Sequence, residues 1–220
     1  MIHMKLAEAF AFSAPVVCAV ICMIMMLMDA HARRSNPVER RLRLFLAFAY
    51  LVSLLGWLGM VFFVLSPRVF VYYYTVFLLT LMLDQVMIYR FVSIITNTGE
   101  HPKFNRLHLI IPLLIIAVSA TGSLLVPVDR QMDIIYGDAG YNSWFRVMYV
   151  TATVIFVVYN SLYPALNLRN IRRYREFIVN YSADAYYTSL NWQTIIQVLI
   201  LVTVPLPFAG LLIGVPVAAV

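Results

Sequence analysis

Charge is what this sequence has least of. Only 12% of its 220 residues are Asp, Glu, Lys or Arg, while 63% are hydrophobic. Soluble domains carry about 25% charged residues, and a chain this poor in charge cannot cover a water-facing surface. The mean hydropathy of +0.86 names lipid as the solvent instead. Cysteine is nearly absent: Cys18 and Cys22 lie four apart in one apolar run. They are no disulfide framework, have no neighbouring His or acid for a metal pair, and read as small buried hydrophobes sharing a helix face. The four histidines, His3, His31, His101 and His108, are scattered without metal-ligand spacing. H-E-x-x-H, G-x-S-x-G, Walker and dinucleotide signatures are missing. The expectation is therefore a non-enzyme without cofactor or metal.

What the chain has in abundance is long apolar runs, at about 7–28, 44–65, 69–89, 107–126, 144–166 and 190–212. A membrane strand needs about 10 alternating residues, whereas a membrane helix needs about 20 continuous apolar ones. In hydrocarbon every backbone polar group must be paired internally, which a helix achieves alone. The first run is too long for a signal-peptide core and has only Lys5 before it, offset by Glu8. The fold class expected is all-α: a polytopic transmembrane helical bundle of six helices plus a partial or kinked seventh. Residues 1–220 then form one integral membrane domain.

The basic residues test the orientation. With the N-terminus outside, twelve of the sixteen Lys and Arg fall on the inner side and four outside. That bias follows the positive-inside rule, so the net charge of +6 reflects topology before nucleic acid. Tyr72 to Tyr74, Trp144 and Trp192 sit where interfacial aromatic anchors belong. The last 31 residues are too long for one span and too short for two. Pro205 and Pro207 suit a kink, Pro216 a turn into a seventh helix. The expectation there is a truncated seventh helix or a fragment of a longer protein. Gly210 and Gly214 make a G-x-x-x-G packing step. No internal repeat of the transporter kind is visible.

Polar residues inside the runs are the candidate sites. Asp84 and Gln85 interrupt "FLLTLMLDQVMIYRF", with Asp84 about 6 Å inside the cytoplasmic boundary of the third run. Arg90 lies six residues on and about 120° from the nearer eclipsed position. A partner on another helix fits better, and Arg43, His108 and Arg169 lie at the same level. Asp84 reads either as an interhelix bond or as a ligand-, ion- or proton-linked group. Asn160 precedes Pro164, which removes the helical partner of the Asn160 carbonyl. Ser161 and the Asn160 side chain are the expected compensation.

After the fifth run, Ile171, Tyr174, Ile178 and Tyr181 recur at helical spacing, with Arg169, Arg172 and Arg173 on other faces and Arg175 nearby. This predicts an amphipathic extension on the inner surface, serving as a topological anchor, a lipid contact or a relay. On the outer side, "PVDRQMDIIYGDAGYNS" carries Asp129, Asp133 and Asp138. It reads as a solvated loop or a ligand contact, without a calcium-loop pattern.

The order "IYRFVSIIT", "EHPKFNRLHLIIPLL", "VPVDRQMDIIYGDAGY" and "LRNIRRYREFIVNYSADAYYTSLNW" resembles the membrane half of bacterial membrane-bound helix-turn-helix transcription regulators of the AraC type. That resemblance implies about seven helices preceding a cytoplasmic DNA-binding domain. Nothing within residues 1–220 looks like a helix-turn-helix, so no nucleic acid is expected to bind these residues themselves. The expected function is a sensory module of the bacterial inner membrane. Its expected partners are membrane lipids, a second copy in a homodimer and an unidentified small ligand. A transporter component coupled through Asp84, or a structural membrane subunit, is the alternative.

Overall fold

The computed structural model describes residues 2–32, 36–96, 105–136, 144–178 and 190–203, with side chains from residue 13 onward. Among the described residues the chain forms seven α-helices and no strand. They are α1 (Ile2–Ala32), α2 (Pro37–Leu65), α3 (Pro67–Ile95), α4 (Leu107–Leu125), α5 (Val128–Tyr136), α6 (Trp144–Ile178) and α7 (Asn191–Thr203). Five helices, α1 to α4 and α6, are long and apolar enough to cross a membrane. The fold is an all-α multi-pass membrane fold.

Helix ends follow local chemistry that hydropathy alone does not see. α2 begins seven residues before its apolar run, because Asn36 caps it. The Asn36 Oδ1 accepts from the backbone N–H groups of Val38 and Glu39 at 3.2 and 3.3 Å, and its Nδ2 donates to Glu39 Oε1 at 3.0 Å. Pro37 occupies the first turn, where a missing N–H is harmless. Ser66 alone separates α2 from α3. Its N–H donates to Phe62 O, and its own carbonyl accepts from Phe70 N–H, both at 2.9 Å.

Three expectations need correction here. The outer segment read as a loop contains α5, a nine-residue helix. Gln131 anchors it: this 2%-exposed side chain donates to the carbonyls of Ser123 (2.8 Å) and Val126 (2.6 Å). Those carbonyls lie at the end of α4, which a helix terminus leaves without partners. Cys18 is exposed and Cys22 only partly buried, because α1 turns most of its surface to lipid and burial is not needed to keep a thiol from water. Of the expected aromatic anchors, Tyr72, Trp144 and Trp192 are exposed, but Tyr73 and Tyr74 are not. The Tyr73 hydroxyl donates to Leu55 O at 2.8 Å, and Tyr74 packs beside Tyr149 with ring centroids 5.4 Å apart.

The described part of α7 covers 13 residues of the expected 190–212 run. Asp138, the connector over 179–189, Gly210 and Gly214, and the prolines at 205, 207 and 216 lie outside the described residues.

The chain divides into two compact units. The first holds residues 1–84 and 109–152, the second residues 85–108 and 153–220. The core of the first unit gathers Phe70, Tyr74, Leu78 and Ala152, with Phe62, Phe77, Ile115, Ile135 and Tyr149 packed on them. α5 is held to this unit by the Tyr136 hydroxyl, which donates to Phe63 O at 3.0 Å, and by stacking of the two rings at 5.0 Å. Burial pushes the Tyr136 hydroxyl above the ordinary tyrosine range, so it remains a neutral donor.

Glycines set the closest helix approaches in this unit. A Cβ at Gly59 would overlap the Phe77 ring and lie 3.0 Å from Phe77 Cβ, an atom fixed to the α3 backbone. A Cβ at Gly122 would meet Met148 Sδ at 2.6 Å, the far end of a flexible side chain. Gly59→Ala is therefore expected to destabilise the fold in detergent by about 1–3 kcal/mol, the range for overpacking. Gly122→Ala should lower the thermal midpoint much less. Equal losses in the two variants would show that the α2–α3 approach is not the tighter constraint.

Candidate functional site

The second unit has a polar interior. Gln85 on α3, Asn160 and Asn167 on α6, and Gln193 and Gln197 on α7 are all at most 5% exposed. Their placement follows from helical spacing. Asn160, Tyr163, Pro164, Asn167 and Ile171 fall on one stripe of α6, and all are buried. Gln193 and Gln197 lie one turn apart on α7. In hydrocarbon an amide turned outward finds no partner, so helices rotate such residues inward.

The amides are incompletely paired. Asn167 Nδ2 donates to Gln197 Oε1 at 3.0 Å, linking α6 to α7. The other halves of both groups, Asn167 Oδ1 and Gln197 Nε2, are buried without a hydrogen-bond partner among the described residues, as is Gln85 Oε1. Each buried unsatisfied group costs about 1–3 kcal/mol. Asn160 Nδ2 donates to Phe156 O at 3.0 Å, and Ser161 Oγ to Val157 O at 2.9 Å. Both bonds reach back one turn, so neither satisfies the Asn160 carbonyl that Pro164 sets free, contrary to the sequence expectation.

A second cluster in this unit joins α4 to α6. His108 Nδ1 lies 2.9 Å from the Tyr163 hydroxyl, and Tyr163 is 2% exposed. The Tyr89 ring sits 5.4 Å from His108 and 5.5 Å from Tyr163, and Tyr159 flanks Tyr163 at 5.1 Å. Beyond them, Arg169, Arg172 and Arg173 are exposed on α6, which continues unbroken to Ile178. Arg172 meets Glu176 at 3.2 Å, and both side chains are largely exposed. Arg175 turns to α7, donating to Asn191 Oδ1 at 2.9 Å and Thr194 Oγ1 at 2.6 Å.

Asp84 belongs to the first unit, where it is partly buried. Of its expected partners only Arg43 belongs to the same unit, and His108 and Arg169 belong to the second. Arg43 forms a 2.8 Å ion pair with Asp29, His108 meets Tyr163, and Arg169 projects outward on α6. Asp29 on α1 and Arg43 on α2 face each other and occupy each other's charge. The electrostatic neighbour of Asp84 is Tyr50 on α2, which in turn interacts with Cys22 on α1. Asp129 and Asp133 are exposed on α5. An apolar groove of about 340 Å³ beside Gly122 and Trp144 offers little hydrogen bonding, since the Thr121 hydroxyl there already donates to Ala117 O at 2.8 Å. Among the described residues, no three His, Cys, Asp or Glu side chains gather as a metal site would require.

Sequence reasoning singled out Asp84, Gln85, Asn160 and His108 but missed Asn167, Gln193, Gln197 and Tyr163. A signal existed in the i, i+7 spacing of Asn160 and Asn167 and the i, i+4 spacing of Gln193 and Gln197. No protein-family model, characterised protein or solved structure matches this chain.

The Asn167–Gln197 pair generates a sign test. Asn167→Leu or Gln197→Leu alone should lower the thermal midpoint in detergent, because one partner is left buried and unpaired. The double Leu variant should recover the loss or exceed it, since both orphaned atoms then disappear. Additive losses in the double variant would show that the two amides do not act as a pair.

Proposed function

We propose that this chain is a multi-pass sensory module of the bacterial inner membrane, with its N-terminus outside, that signals inward by repacking helices. The observation that carries this reading is α6. One continuous helix bears the buried amides Asn160 and Asn167 and, within two turns of Asn167, the exposed Arg169, Arg172 and Arg173. A change in how Asn167 is paired is thereby joined along one helix to a charged inner surface.

An under-satisfied polar interior suits such a role. Buried amides with free donors and acceptors have more than one pairing of similar energy, and a ligand that prefers one pairing shifts the population towards it. A small hydrogen-bonding molecule entering the bundle, or a contact at the outer acids Asp129, Asp133 and Asp138, would act in this way. The output is read as transcriptional regulation through a helix-turn-helix domain. That step rests on the resemblance of the chain to the membrane half of AraC-type regulators. The module itself is read as a non-enzyme that works as a homodimer and binds no nucleic acid.

The test is genetic. Deletion of the gene should change a defined set of transcripts, and the intact protein should restore them. The Asn167→Leu/Gln197→Leu variant should reach the membrane folded yet fail to restore the response, and Asp84→Asn should do the same. A deletion that leaves transcripts unchanged but abolishes uptake of a solute would replace this reading with transport. Failure of Asp84→Asn to fold would assign that carboxylate to structure.

A further inference from the structure

We infer that Arg169, Arg172 and Arg173 form a docking surface for the anionic phosphates of inner-leaflet phospholipids. The inference rests on the inside placement of the α6 C-terminal end given above, and not on signalling.

Depth along the helix is the first argument. Trp144 opens α6 and is 53% exposed, the position of an indole anchored at headgroup level. A bilayer with its headgroups is about 40–45 Å thick, which at about 1.5 Å per residue is 27–30 helical residues. Counted from Trp144, the inner headgroup layer then ends near residues 171–174. Arg169, Arg172 and Arg173 fall within it. α7 sets the level independently. Arg175 holds Asn191 and Thr194, and between them Trp192 is 55% exposed at the start of an apolar helix. A second interfacial indole thus marks the membrane boundary beside residue 175.

Geometry is the second argument. The three arginines stand at i, i+3 and i+4, so they share one face of α6, opposite the buried Asn167 and Ile171. The acid on that face, Glu176, pairs with Arg172 where both are largely exposed. Such a pair is weak and exchanges readily for a phosphate. A guanidinium offers two parallel N–H donors to a phosphate, which a lone ammonium cannot match. The surface is convex and open, which suits a field of headgroups.

The full chain, purified in neutral detergent from membranes containing phosphatidylglycerol and phosphatidylethanolamine, is examined by native mass spectrometry for retained lipid. The intact protein should retain phosphatidylglycerol in preference. Arg169→Gln/Arg172→Gln/Arg173→Gln should reduce that preference by about tenfold or more. The matching triple Lys variant should fall between the two, since it keeps the charge and loses the paired donors, and Arg40→Gln/Arg41→Gln should leave the preference within about twofold. Added salt should strip phosphatidylglycerol from the intact protein while leaving phosphatidylethanolamine. Equal retention by the Gln variant, equal loss in the Arg40/Arg41 variant, or retention indifferent to salt would each overturn the inference. Displacement of the lipid by a duplex oligonucleotide at equal phosphate concentration would reassign the surface to nucleic acid.

Discussion

The backbone hydrogen bond is the constraint from which the rest of this structure follows. In hydrocarbon no water stands ready to pair an open N–H or carbonyl, so each crossing segment must satisfy itself as a helix. Places where this is hardest are the helix ends, and there the chain spends its polar side chains. Asn36 closes the start of α2, Ser66 serves two helices at once, and Gln131 returns to the end of α4. The short helix α5 is held in place because Gln131 and Tyr136 donate hydrogen bonds to Ser123 O of α4 and Phe63 O of α2.

The same constraint governs the amides. Side chains such as Asn167 and Gln197 turn inward because lipid offers them nothing, and one hydrogen bond joins them. Their remaining atoms stay open, which sets a buried cost against the linkage gained. An apolar pair would avoid that cost. A polar pair in such a place specifies one helix register at a cost in stability, because removing either partner strands the other. α6 then makes the location consequential, because the same rigid helix carries the amides and the arginine face.

Asp84 illustrates how far local sequence can mislead about partners. A carboxylate in the C-terminal half of α3 invites pairing with an arginine of a neighbouring helix. The helical hairpin of α1 and α2 instead matches Arg43 with Asp29. Asp84 interacts electrostatically with Tyr50 on α2, a residue that no charge count would nominate.

Apolar run length and the lack of charge determined by themselves that this is an all-α multi-pass chain, because span length depends on summed transfer energies along the sequence. The amphipathic face of Arg169, Arg172 and Arg173 was legible for the same reason, as helical period is local. The identity of each polar partner was decided only by tertiary structure. Whether Asn167 meets Gln197, His108 meets Tyr163 or Asp84 meets Tyr50 depends on the rotation and register of whole helices. Close approaches such as Gly59 on Phe77 in the first unit likewise join residues that sequence position does not relate.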